Sequence, residues 1–295
     1  MEQLVFNKID LHMHTIVSDG TDSLSEIIVA VKKSGIDLFS VTDHDAIRGG
    51  KEVPGILKED DPAFIAGVEF SCKDEYGKYH ILGYGYDPYG ESINKVVDKG
   101  HSLRMEKVEA RIEFLNEEFG FVFSKEDLDE LMARDNPGKP HIGNMMVKYG
   151  YAESKEDAIK NYINKKKFKS AYVKPDEAIE GILGSGGIPV LAHPTYGNGE
   201  DLILGDEMEE RILRLMGMGI QGLEAYYSGF TDKIQEEILG FAEKYNLFVT
   251  AGSDYHGKNK MIPLGDNNLR RVSDGPEGLR RFLETINSKI KNKRG

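Results

Sequence analysis

The stretch Ile9–Glu26 reads IDLHMHTIVSDGTDSLSE. Side chains alternate along a strand, so Asp10, His12 and His14 share one face while Leu11 and Met13 share the other. One face is apolar, and the other offers a carboxylate and two imidazoles. A strand that gives a whole face to such groups needs partners for them elsewhere in the chain. Directly afterwards, Ser23 with Glu26 three residues on has the pattern of a capping box, and Gly35 is suited to end the helix it starts. The stretch therefore opens a strand–turn–helix unit.

That rhythm recurs. IDLFSVTDHD, FIAGVEFSC and KYHILGYGYD follow as further strands, and IPVLAHP, IQGLEAYY and LFVTAGSDYH come late in the chain, each after an amphipathic helix. Between them, from 95 to 170, long charged helical patterns run with no convincing strand. We expect an α/β fold: residues 1–94 and 171–295 forming a parallel barrel of βα units, and 95–170 forming a helical insertion. In such barrels, chemistry sits where strands end.

The histidines follow that rule. Of the 8 in the chain, His12, His14, His44, His80, His193 and His256 lie in predicted strands or just past their ends. Carboxylates fall beside them: Asp19, Asp43, Asp45, Glu69, Glu224 and Asp254. Any one of these alone reads as structural. Imidazoles and carboxylates crowded together are costly unless a cation binds them, and this mixture suits Zn, Mn or Fe, with bridging carboxylates typically holding two metals about 3.5–4 Å apart. Asp10, Asp43 and Asp45 are expected to orient imidazoles rather than bind metal, and Glu224 to stand behind a ligand.

Composition narrows the alternatives. Cys72 is the one cysteine, which excludes an internal disulfide and a thiolate zinc site. The net charge of −12 argues against a broad duplex-DNA-binding surface, although a small anion in a locally positive pocket is compatible with it. The compact basic run NKKKFK, Asn164–Lys169, reads as a solvated helix end. No apolar run is long enough to cross a bilayer, and MEQLVFNKIDLH lacks the basic-then-apolar order of a secretory signal, so a soluble cytoplasmic protein is expected.

The motifs DLHMHTIVSDG, VTDHD, GVEFS, YHILGYG, LAHP and GSDYH, in that order, resemble those of the PHP superfamily, named for polymerase and histidinol phosphatase. The resemblance covers essentially the whole chain. It implies a distorted (β/α)7 barrel holding two to three divalent ions (Mn, Fe or Zn). The ligands it implies are His12, His14, Asp19, His44, Glu69, His80, His193, Asp254 and His256, with Glu69 bridging. It also implies phosphoester hydrolysis by metal-hydroxide attack, with Asp254, His193 and His256 as catalytic candidates.

The insertion is similar to that of the subgroup acting on nucleoside 3′,5′-bisphosphates or on the 5′ end of short single-stranded RNA. That resemblance implies that the insertion caps the barrel mouth, with Arg104, Lys139, His141 and Lys169 as substrate contacts. Lys139 stands where many relatives carry Arg, and Lys lacks the bidentate fork. Bland alternatives stand beside these readings: Arg104 and Arg111 as solvated residues, His141 as a helix cap, Tyr226 and Tyr227 as core or rim. Histidinol-phosphatase-type chemistry, or a non-catalytic module partnering a polymerase, are the rival functions.

Overall fold

The computed structural model describes residues 6–168, 172–197 and 202–294. The chain divides into two compact units, residues 1–97 with 174–295, and residues 98–173.

The first unit is α/β. β1 (Ile9–Asp10) leads into α1 (Leu24–Lys33), which starts as the sequence predicts: Glu26 N donates to Ser23 Oγ, and Ser23 N to Glu26 Oε2 at 2.8 Å. Gly35, at φ +66°, ends it in the left-handed conformation that glycine adopts without penalty. Leu24, Ile27, Ile28 and Val31 face inward and join one cluster with Met13, Phe39, Val41 and Val53, each burial being worth about 1.5–3 kcal/mol for a side chain of this size. β2 (Leu38–Phe39), α2 (Arg48–Ile56) and β3 (Ala63–Phe64) follow, and β1, β2 and β3 pair in parallel.

β4 (Gly67–Lys73) and β5 (Lys78–Tyr84) form an antiparallel hairpin, so the expected uniform parallel sheet is interrupted here. The cause is local. Only Asp74–Gly77 separate the strands, and the Asp74 carboxylate accepts from Tyr76 N and Gly77 N at 2.9 and 3.1 Å, folding the link into a tight turn with no room for a crossover helix.

In the second unit α3 (Glu91–Phe119), which begins in the first, is followed by α4 (Lys125–Met132), α5 (Lys139–Lys148) and α6 (Lys155–Asn161). The tetrapeptide Ser-Lys-Glu-Asp occurs before both α4 and α6, where Ser124 Oγ and Ser154 Oγ each accept from the backbone of the following Asp. Val108, Leu115, Ile142, Met146 and Ile163 are among the buried residues of this unit's own core. Within the basic run, Lys165 and Lys166 lie over the Phe119 and Phe114 rings at 5.1 and 5.7 Å, so their stems cover aromatic surface.

The first unit resumes with α7 (Pro175–Gly184), β6 (Ile188–Leu191), α8 (Gly205–Met218), β7 (Gly222–Tyr227), α9 (Asp232–Lys244), β8 (Phe248–Gly252) and α10 (Glu277–Arg294). β6 runs antiparallel to β5, and β7 and β8 continue in parallel. The ladders form a three-stranded sheet, β1-β2-β3, and a five-stranded sheet, β4-β5-β6-β7-β8, rather than one closed ladder. Isolated bridges join them on both sides, Met13 with Tyr255 and His44 with Glu69. Among the described residues no helix is long and apolar enough to cross a membrane.

Candidate metal centre

Both bridges lie at the histidines. Glu69, on β4 and 1% exposed, is the hub. Its Oε2 lies 3.2 Å from His12 Nε2, His14 Nε2 and His44 Nδ1, and its Oε1 lies 2.9 Å from His80 Nδ1 and 3.1 Å from His193 Nε2. The five rings close a circuit around it: centroids are 5.2 Å apart from His12 to His14, 4.6 Å from His14 to His44, 5.0 Å from His44 to His80 and from His80 to His193, and 5.8 Å from His193 to His12. His256 stacks on His14 at 4.1 Å and meets Asp19 Oδ1 through Nε2 at 3.2 Å. Asp254 Oδ1 lies 3.2 Å from His14 Nε2 and 3.5 Å from His12 Nε2.

One carboxylate cannot satisfy five imidazoles. A neutral imidazole has a proton on one nitrogen and a lone pair on the other, and a lone pair facing a carboxylate is repelled. His12 Nε2 and His14 Nε2 are buried and, among the described residues, make no well-directed hydrogen bond to the carboxylates they face. Three sets of donor atoms each fall within 4.8 Å: His14, Asp19, His44 and His256; His12, His14 and Asp254; His44, Glu69 and His80. Divalent cations remove both the repulsion and the orphaned lone pairs, so the donor set fits metal binding.

Three of the rings are held from behind. His12 Nδ1 lies 2.8 Å from Glu224 Oε1, and Glu224 Oε2 accepts from His193 N at 2.8 Å, so one carboxylate at the end of β7 holds two segments of the cluster. His256 Nδ1 lies 2.8 Å from the Asp254 carbonyl, which can only accept, so the proton sits on Nδ1 and the lone pair on Nε2 faces inward. His14 Nδ1 faces Ser18 Oγ at 3.4 Å, and that hydroxyl donates to Asp43 at 2.6 Å.

Burial and charge pull against each other here. Burial pushes Glu69 up, but His12, His44 and His80 hold its carboxyl well below the usual range. Burial alone would depress His14; the Asp254 and Glu69 carboxylates against its Nε2 and the charge of Asp19 instead hold it up at about 9. His44 goes the other way, pushed down to about 4 chiefly by burial, against the pull of Glu69 and Asp19.

All nine expected ligands therefore converge in the first unit. Asp10, Asp43 and Asp45, expected to orient imidazoles, also bond to backbone beside the cluster, Asp10 accepting from His12 N at 3.3 Å. Asp10 accepts from Ser253 N, Ser253 Oγ and Gly265 N at 3.0, 2.6 and 2.7 Å, pinning the loop that carries Asp254. Asp43 holds Thr15 N and Oγ1 at 2.7 Å and reaches His14 only through Ser18. Asp45 accepts from Ser71 N at 2.9 Å. They brace the backbone because short loops after β1 and β2 leave amides that a carboxylate satisfies better than a distant ring.

Arg104, Lys139 and His141 lie in the second unit. Lys139 Nζ donates to Asn164 Oδ1 at 2.6 Å, and His141 Nδ1 accepts from Gly138 N at 3.1 Å, which is the helix-capping alternative. A Cβ at Gly138 would stand 3.6 Å from Arg104 Nη1. Lys169 lies outside the described residues. The sequence reading passed over Lys260, whose Nζ donates to Asp254 Oδ2 at 2.5 Å, and gave Tyr227 only a core or rim role, whereas its hydroxyl donates to the same oxygen at 3.0 Å. Neither carries a spacing signal: Tyr227 reaches Asp254 from another element, and Lys260, six residues beyond Asp254, falls in no repeating pattern.

A family model described as the PHP domain matches residues 10–184, more than half of the chain. The 5′-3′ exoribonuclease of Haemophilus influenzae is 29% identical over 265 residues, covering 88% of this chain and 94% of that protein. The 3′,5′-nucleoside bisphosphate phosphatase of Chromobacterium violaceum is 26% identical over 293 residues, covering 96% and 97%. A solved structure described as a metal-dependent phosphoesterase of Bifidobacterium adolescentis aligns with a TM-score of 0.73 at 28% identity, over 88% of this chain and 91% of that one.

Proposed function

The chain belongs to the PHP domain family and is a metal-dependent phosphoesterase; from that premise we propose that it hydrolyses the phosphate ester of a small nucleotide, either a nucleoside 3′,5′-bisphosphate or the 5′ end of a short single-stranded RNA. The observation that carries the metal-dependent reading is Glu69 ringed by five imidazoles with orphaned nitrogens. The substrate class is supported by the two relatives, whose names place them on RNA and on a nucleoside bisphosphate. We read the two bridged sheets as the distorted (β/α)7 barrel of the resemblance, and place the protein in the cytoplasm.

His12, His14, Asp19, His44, Glu69, His80, His193, Asp254 and His256 would hold two to three cations of Mn, Fe or Zn, with Glu69 bridging. Such cations supply Lewis acidity, polarising phosphoryl oxygens and making water a stronger acid. The chain's own residues do the rest. Glu224 and the Asp254 carbonyl fix ring orientation on His12 and His256, so their lone pairs converge before substrate arrives. His193 Nδ1 is buried without a partner among the described residues, in a ring otherwise held through Nε2, which suits it to pass a proton to a leaving oxygen. Arg104, Lys139, His141 and Lys169 of the helical unit are our candidates for the substrate's second phosphate and base.

The test is phosphate release by Mn-loaded protein from adenosine 3′,5′-bisphosphate, a 5′-phosphorylated RNA trimer (also assayed for mononucleotide release), histidinol phosphate and a ribose 1,2-cyclic phosphate. The last is included because a further relative, 25% identical, is named a phosphoribosyl 1,2-cyclic phosphate 1,2-diphosphodiesterase. Selective turnover of the bisphosphate or of the RNA supports the nucleotide reading. Turnover of either of the other two alone overturns it.

A further inference from the structure

Asp254 presents two differently occupied edges. Oδ1 faces Nε2 of His12 and of His14, while Oδ2 takes the hydroxyl of Tyr227 at 3.0 Å and the ammonium of Lys260 at 2.5 Å. Asp254 is itself almost fully buried, and the Lys260 side chain is 38% exposed, so the ammonium lies at the open edge of the cluster.

The position of Lys260 is built rather than incidental. It follows a 3-10 turn, Gly257–Asn259, that is stitched to the loop bearing Asp19: Lys258 N donates to Thr21 Oγ1 at 3.0 Å, Asn259 Nδ2 to the Asp19 carbonyl at 2.7 Å, and Tyr255 Oη to Asp22 at 2.7 Å. Two loops that carry five of the expected ligands thus also fix where the lysine emerges.

We propose that Lys260 is a substrate-binding residue that contacts the phosphoryl oxygens of the ester, resting on the phosphoesterase reading above. The electrostatics motivate it. An ammonium beside a carboxylate is favourable, but an ammonium beside a carboxylate already shared with divalent cations is largely repelled. A second source of negative charge restores the balance, and the arriving phosphate brings two. An ammonium has three donors, only one of which Asp254 uses, and it binds phosphate as a point charge.

The test uses full-length Mn-loaded protein and the variants Lys260→Met and Lys260→Arg. Inorganic phosphate is titrated calorimetrically, KM and kcat are measured on the best ester, and bound Mn is counted by elemental analysis. One lost charge-assisted hydrogen bond predicts that Lys260→Met weakens phosphate binding about tenfold or more and raises KM comparably, with Mn content unchanged and Lys260→Arg recovering most of the loss. Unchanged phosphate affinity in Lys260→Met overturns the proposal. So does a fall in Mn content that accounts for the lost activity, because Lys260 would then act only by posing Asp254. The calorimetric titration needs no turnover, so wild-type protein that binds phosphate through Lys260 yet hydrolyses no ester would overturn the phosphoesterase reading and leave this one standing.

Discussion

Glu224 touches no expected substrate position, yet its two oxygens hold His12 Nδ1 and His193 N. Removing its charge while keeping the shape should loosen the site without unfolding it. Glu224→Gln is expected to lower metal affinity or activity about 10–100-fold, checked by Mn titration alongside a thermal melt. Unaltered affinity would mean that His12 needs no such support. His14 supplies a pH test. Its folded value of about 9 lies above the ordinary 6.5, so in metal-free protein its protonated form contributes stability that is fully present below about pH 6.5 and lost as pH rises through about 9. A cation must displace that proton, so metal affinity should rise across the same window. Melting temperatures of stripped protein that stay flat from pH 6.5 to 9 would contradict this. At this scale the six histidines and the carboxylates beside them were legible because strand alternation and strand ends put them at predictable points, while the choice of nine ligands among them came from the motif resemblance. Lys260 and Tyr227 were not legible, because their role rests on one oxygen of Asp254, approached from a loop by one and from the end of β7 by the other.

Elements decide whether those side chains can meet. β8 passes so close to the cluster that a Cβ at Gly252 would fall 2.2 Å from the His12 Cβ and 2.7 Å from Glu224 Oε1. Gly252→Ala should therefore displace His12 and lower Mn affinity well beyond its effect on melting, which a paired titration and melt would reveal. A cap that touches none of the expected ligands gives the converse. Ser23→Ala removes the α1 cap and is expected to cost about 1 kcal/mol of stability while leaving Mn affinity intact, as urea unfolding and the same titration can check. The start of α1 was legible from its cap at Ser23. The reversal of β5 was not, since GVEFSCK and KYHILGY have the same apolar alternation whichever way they pair, and the Asp74 turn that fixes the direction is only four residues long.

For the whole molecule, the interruption of the βα rhythm by four charged helices was visible as a change of period, and the structure gives those helices a core of their own. The (β/α)7 description came from motif resemblance rather than from periodicity, and the ladders themselves separate into sheets of three and five strands. If cations bind the cluster in the folded state alone, saturating Mn at about a hundred times its dissociation constant should add about 2.7 kcal/mol to unfolding stability. Phosphate release from adenosine 3′,5′-bisphosphate and a short 5′-phosphorylated RNA, followed before chelation, after exhaustive chelation and after Mn is restored, tests the central claim most directly, with Asp19→Ala and His256→Ala as controls. The account predicts turnover that vanishes with the metal, returns with it and is absent from both variants. Full activity in the chelated protein, or undiminished activity in the variants, would contradict it.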